Sequence, residues 1–332
     1  MASITIHSPL GIVFCGVLAA GLDYLIGDPP HWLHPVQVMG WFIEQLSCRI
    51  LRVYSQPWQR RLGGIGLGCL LIFGSGGIGW LFLQIGDRYF PWLTPVLTVI
   101  ILASCLAGRS LSQATQSVLM PLQSGDLPQA REKLSYFVGR DTAHLNETDI
   151  LRATLESWAE NSVDGVLAPW FYILLGLGIP ALGPVPLALG YKAASTLDSM
   201  VGYLREPYRD LGWFSAKLED RLTWLPCRLT VLTLALLSGK PWAVLAICRR
   251  DAPLDPSPNS GWSEAVYAAI LEVQLGGENT YQGVKKWKPL LGNSDRTITP
   301  DVIKQARLLT RLCFWLWLVL ALMIAVFLQV RF

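Results

Sequence analysis

The chain has 332 residues, 52% of them hydrophobic and only 15% charged, with a mean hydropathy of +0.39. Soluble domains carry about 25% charged residues, so this composition excludes an ordinary soluble protein and reads as an integral membrane protein. A net charge of +3 without a long basic run excludes a nucleic-acid footprint. The seven cysteines are scattered, with no CxxC and no Cys/His cluster at zinc spacing, and read as apolar fillers in a reducing compartment.

In chain order, the first apolar segment, 9–27, lacks a basic leading region and contains Asp23, so it reads as a retained membrane helix and not a cleavable signal. It runs into Asp28-Pro-Pro-His31 and His34-Pro35, an extended turn. Segments 62–85 and 91–107 form a pair of spans. Their link, 86–90, holds only Arg88, whereas the loop 28–61 holds Arg49, Arg52, Arg60 and Arg61, which places the tip of the pair outside. The stretch 108–164 is amphipathic helix, with Asp126 in QSGDLP capping a helix near Pro128 and a break at Gly139. Segments 165–190 and 229–247 are apolar but interrupted, the first by Gly and Pro, the second by Ser238-Gly239-Lys240-Pro241. Such breaks suggest partly inserted or re-entrant elements. A last span covers 312–330. The polar stretches 108–164, 191–228 and 248–311 all carry several Lys and Arg and belong on the cytoplasmic side.

With no internal repeat, the expected architecture is one polytopic all-α membrane domain over 1–332, a helical bundle with broken helices and large cytoplasmic helical insertions. It sits in the inner membrane with its site facing the cytoplasm.

The chemistry concentrates in ESWAENSVDGVLAP. Glu156, Glu160 and Asp164 are spaced i, i+4, i+8, so a helix stacks them on one face, with Ser157 and Asn161 beside it. Such a stripe needs a divalent metal, a Lys/Arg partner or bulk water to relieve its repulsion. A solvated acidic face is the plain alternative, but the stripe abuts membrane-grade sequence, where unneeded charge is costly. Further polar clusters lie at Arg140-Asp141, at Lys192 to Asp198, at Lys217 to Arg228, and from Arg249 through Ser257, Asn259 and Glu264 to Gly276-Gly277. Carboxylates, cations, amides and Gly turns together suit an anionic, metal-bound ligand. Four histidines without G-x-S-x-G argue against a Ser-His-Asp hydrolase, and no Walker sequence is present.

Taken in order, LDYLIGDPPHWLHPV, VGRDT, ESWAENSVDGVLAPWFY, YKAASTLDSMVGY, LPCRLT, RRDAP, SPNSGWSEA and QLGG resemble the adenosylcobinamide-phosphate synthase (cobinamide-phosphate synthase) family of cobalamin biosynthesis. The resemblance covers nearly the whole chain. Ser195 stands where the family has Asn, Glu219 where paired Asp is commoner, Lys217 for Arg, and Cys227 and Ser260 for small Ala-like residues. It implies a membrane ligase that consumes ATP to join adenosylcobyric acid to (R)-1-aminopropan-2-ol phosphate, or to ethanolamine phosphate. On that reading Glu156, Glu160, Asp164 and Asp220 would hold Mg²⁺, with Asp198 as a further carboxylate. Arg140, Lys192 and Arg228 would hold phosphate, and Thr196, Lys217, Ser257, Asp28 and His34 would line the substrate. Asn161 and Asn259 would orient the carboxylate or amide, and Asp141 would take the ammonium proton. Expected partners are the corrinoid and amino-alcohol phosphate, the bilayer, a homo-oligomer and the next membrane enzyme. A transporter or channel, and a corrinoid-binding scaffold, are the competing readings.

Overall fold

In a computed structural model, residues 8–27, 34–179 and 181–331 are described. Asp28 lies outside them. The first half contains α1 (Pro9–Leu25), α2 (Pro35–Val53), α3 (Pro57–Tyr89), α4 (Thr94–Cys105), α5 (Gly108–Gln123), α6 (Leu127–Ser135) and α7 (Glu147–Ser162). After it come α8 (Ala168–Leu175), α9 (Pro184–Val201), α10 (Tyr208–Leu211), α11 (Trp213–Leu237), α12 (Pro241–Asp251) and α13 (Ser260–Leu271). The chain ends in strands β1 (Leu275–Tyr281) and β2 (Val284–Leu291) and helix α14 (Pro300–Arg331).

The all-α membrane architecture holds. Three helical stretches, Pro57–Tyr89, Thr94–Gln123 and Pro300–Gln329, are long and apolar enough to cross a bilayer, and Pro9–Leu25 is a shorter apolar helix. The helices overrun the expected spans because their polar ends continue the same hydrogen-bond ladder: α3 begins at Pro57 and α14 at Pro300. Asp23, inside apolar α1, accepts the backbone N–H of Gly108 at 3.1 Å, so it satisfies an orphan donor at the start of α5. Asp126 caps α6 as expected, accepting from the Gln129 N–H at 3.0 Å.

The first interrupted segment is built as a π turn (Val163–Leu167), the eight-residue α8, a 3₁₀ turn (Gly176–Gly178) and then α9. At 1.5 Å per residue α8 is about 12 Å long, far short of a hydrocarbon core of about 30 Å. The second break falls at Ser238-Gly239, where Gly239 takes a positive φ of 70°, but the helix before it starts as early as Trp213.

The chain divides into two compact units, residues 1–109, 168–222 and 317–332 in one and 110–167 and 223–316 in the other. In the first, α3 lies along α9 with glycines at the seam. A Cβ on Gly76 would sit 3.1 Å from the Pro186 carbonyl oxygen, and one on Gly79 2.6 Å from Leu189. Small residues let two apolar helices approach closely enough for dispersion to hold them where lipid supplies no hydrophobic drive. In the second unit α7, α12 and α13 pack with the two strands. Here Tyr267 is fully buried, its hydroxyl 3.1 Å from Ser162 Oγ and 2.7 Å from Thr310 Oγ1, while the Trp158 indole N–H donates to the same Thr310 oxygen at 3.0 Å.

The antiparallel hairpin of β1 and β2 departs from the helical insertion expected for 248–311. Its two-residue turn, Gln282-Gly283, has φ of 51° and 78°, the left-handed pair that matches strand twist in tight hairpins. Gly276 (φ 88°) lies at a register shift, and a Cβ there would collide with the Pro289 carbonyl.

Candidate functional site

The acidic stripe forms on α7 and its continuation, but its members live in different surroundings. Glu156 is 2% exposed. Its Oε2 accepts from Arg140 Nη2 at 2.5 Å; its Oε1 accepts from the Gly276 N–H at 2.8 Å and from Arg152 Nη1 at 3.4 Å. Arg140 also donates to Asn279 Oδ1 at 2.7 Å. Arg152 bonds Asn279 Oδ1 at 3.3 Å, the Glu278 carbonyl at 3.2 Å, Asp149 at 3.1 Å and the Gly276 carbonyl. A carboxylate taken this far from water needs counter-charge in contact, and two guanidiniums supply it. Arg140, expected on phosphate, is thus turned onto Glu156, and Glu156, expected on a metal, is turned onto arginine.

Asp141, expected to take the ammonium proton, also meets protein groups. Its N–H donates to the Thr280 carbonyl at 2.8 Å, and its carboxylate accepts the turn N–H groups of Gln282 at 3.1 Å and Gly283 at 2.8 Å. Its carboxylate fastens the hairpin tip.

The other end of the stripe is open. Glu160 and Asn161 are exposed and Asp164, in the π turn, is half-buried. The Asn161 amide donates back to the Ser157 carbonyl at 2.8 Å and Oγ at 3.1 Å. Facing this end electrostatically is a second cluster: Lys288 Nζ donates to Glu264 Oε1 at 2.5 Å and lies 3.9 Å from Asp255 Oδ2. Glu264 is fully buried, and its Oε2 has no hydrogen-bond partner among the described residues. Burial pushes the Glu264 carboxyl up to about 8; Lys288 opposes the rise, and Glu156 and Glu160 add to it. Glu160 is reached by solvent yet walled by protein groups. The water they displace raises its pKa, Lys288 opposes, Asp255 and Glu156 raise it further, and Arg140 offsets part of that. These carboxylates together retain a proton more readily than isolated ones.

Next to this cluster the loop before α13 is tied on itself. Asp255 Oδ1 accepts from the Ser257 N–H at 2.8 Å and the Ser260 hydroxyl at 3.1 Å, and Ser257 Oγ accepts the N–H groups of Asn259 at 3.2 Å and Ser260 at 3.1 Å. The Arg228 guanidinium lies 5.2 Å from the Trp224 ring centroid and 4.5 Å from that of Trp262, and donates to the Pro258 carbonyl at 2.8 Å. Ser257, Asn259 and Arg228 are therefore brought together at the start of α13.

The remaining expected residues belong to the first unit. Lys192, Thr196 and Asp198 share α9, where the Thr196 hydroxyl donates to the Lys192 carbonyl at 2.7 Å. Lys217 lies 3.7 Å from Asp220 on α11, and His34 caps α2, its Nδ1 accepting from the Val36 N–H at 3.3 Å. Among the described residues no three His, Cys, Asp or Glu side chains are grouped to hold a metal ion.

Arg152, Asp255, Glu264, Asn279 and Lys288 were not among the expected site residues. The i, i+4 spacing of Arg152 and Glu156 was a readable signal. Lys288 became readable only with the hairpin.

These features define a helical membrane protein with a cluster of buried ionisable groups at α7, α13 and a hairpin. The chain belongs to the CobD/CbiB family: the family model described as CobD/Cbib protein matches residues 16–310. It is 57% identical over 311 residues to the cobalamin biosynthesis protein CobD of Synechocystis sp., covering 94% of this chain and 91% of that one. It is 40% identical over 326 residues to the cobalamin biosynthesis protein CbiB of Salmonella choleraesuis, covering 96% and 98%. Against the cobalamin biosynthesis protein CobD of Klebsiella pneumoniae it is 40% identical over 323 residues, covering 94% and 95%. No solved structure matches the chain.

Proposed function

We propose that this protein is the cobinamide-phosphate synthase of cobalamin biosynthesis, a ligase that joins a carboxylate of adenosylcobyric acid to the amine of (R)-1-aminopropan-2-ol phosphate or ethanolamine phosphate. The observation that carries the reading is the match, over nearly all of the chain, to relatives named as cobalamin biosynthesis proteins.

A carboxylate is a poor electrophile. ATP, arriving as its magnesium complex, would transfer its γ-phosphoryl group to a carboxylate oxygen, releasing ADP and leaving an acyl phosphate. The amine would then attack the acyl carbon, expelling inorganic phosphate and giving the amide. The protein's part is positioning, charge neutralisation and removal of one ammonium proton. The open end of the stripe suits that last task. Glu160 is exposed, anionic toward an ammonium group, and raised in pKa by its surroundings, which makes it a better proton acceptor than an isolated carboxylate. Asn161 and Asp164, beside it, would orient the amine. Arg228 remains the proposed cation for phosphate, and Ser257 and Asn259 the proposed polar lining. The site would face the cytoplasm of the inner membrane, where ATP is found, with product passed to the next membrane enzyme.

Oxygen-18 in the corrinoid carboxylate tests the chemistry. Detergent-purified protein supplied with labelled acid, Mg-ATP and aminopropanol phosphate should yield the amide and transfer one labelled oxygen to the released phosphate. Amide formed with unlabelled phosphate would overturn the acyl-phosphate route, and absence of amide would overturn the proposed activity.

A further inference from the structure

We infer that the acidic stripe of α7 is relieved by the protein's own side chains, Arg140 and Arg152 on Glu156, with Lys288 on Glu264 in the neighbouring cluster, and holds no resident divalent ion. The inference concerns the charge state of this cluster and stands whether or not the chain makes an amide.

A magnesium or calcium ion draws on about six or more oxygen ligands, with carboxylate lone pairs directed at it. Glu156 has none to spare in that direction: Oε2 is taken by Arg140 at 2.5 Å, and Oε1 by the Gly276 N–H at 2.8 Å and Arg152 at 3.4 Å. An ion on this carboxylate would sit within a few ångströms of two guanidiniums, a like-charge contact in a site where water screens little. The i, i+4 spacing does not rescue the arrangement. Glu156 is directed to the hairpin and is 2% exposed, while Glu160 lies at the exposed end. At the second cluster, Lys288 occupies the place a cation would take, 2.5 Å from Glu264 and 3.9 Å from Asp255. The fold therefore answers the repulsion of the stripe with side chains, one of which, Lys288, comes from β2.

Manganese-ion binding read by electron paramagnetic resonance on the full-length, detergent-solubilised chain without nucleotide tests this. The free-ion signal should show no stoichiometric loss, and wild type and Glu160→Gln should titrate alike. A stoichiometric loss that either Glu156→Gln or Glu160→Gln abolishes would overturn the inference. Binding that survives both substitutions lies outside the stripe and agrees with it. Thermal unfolding gives a second reading. Chelation should leave the wild-type midpoint unchanged. Arg140→Met should lower it, and Glu156→Gln added to that variant should recover most of the shift. A midpoint that falls on chelation in the wild type but not in Glu156→Gln or Glu160→Gln, or a double variant with no recovery, would contradict it.

Discussion

At the scale of the residue, Glu264 makes the sharpest statement. Its carboxyl starts from an ordinary value of 4.5 and is raised to about 8 in the folded protein. Between those values the native state holds a proton that the unfolded chain has released, so stability falls as pH rises from about 4.5 through about 8. Glu264→Gln should flatten that slope. Melting midpoints between pH 5 and pH 8 should converge for the variant and decline for the wild type; parallel curves would remove Glu264 from the titration. Glu156 makes a different one. Replacing Arg152 by Met leaves a buried carboxylate with Arg140 as its one guanidinium, and losing a hydrogen bond to a charged group costs about 1.5–3 kcal/mol. The midpoint in denaturant should drop accordingly. The stripe itself was legible because helix spacing puts i and i+4 on one face. Of its counter-charges only Arg152 was readable, at i, i+4; Arg140 reaches Glu156 from 16 residues away, and Lys288 meets Glu264 only through the turn of a hairpin. A sequence shows that charge must be relieved; the fold decides by what.

At the scale of the element, the hairpin Leu275–Leu291 is what the sequence reading lost and the site most depends on. Nine Lys and Arg across 248–311 mark that stretch as polar, and charge alone does not distinguish helix from strand. The local signal was Gln282-Gly283 between Thr280-Tyr281 and Val284, a two-residue turn flanked by strand-forming residues. Asp141 binds that turn with two N–H contacts. Asp141→Ala should leave both donors unpaired, at about 1–3 kcal/mol for each that water cannot reach. Amide exchange over 280–286 should quicken while that over α13 stays slow; equal protection in the variant would mean the contact is incidental. The glycine seam of α3 was read only as part of an apolar span. Gly76→Val should push α3 from α9, since even a Cβ there stands 3.1 Å from Pro186 O, and should lower the melting midpoint by several degrees.

At the scale of the whole molecule, composition alone fixed the class: with only 15% charged residues the chain had to be a membrane protein. The span near 62–85 and the C-terminal one were legible because nothing but length and hydropathy defines them. The two-unit division was not, since residues 110–167 and 223–316 interleave with the other unit along the chain. The polar unit carries the stripe, its counter-cations and the hairpin, and Glu160 places the proposed proton transfer there. The most direct test of that assignment is the stoichiometry of turnover. Purified protein with adenosylcobyric acid, aminopropanol phosphate and Mg-ATP should release ADP and amide product in equal amounts. Both should be lost when any one substrate is omitted and fall at least a hundredfold in Glu160→Gln, in keeping with roughly 10²–10⁴ for a general base. Corrinoid binding without ADP release, or full turnover in Glu160→Gln, would contradict the account.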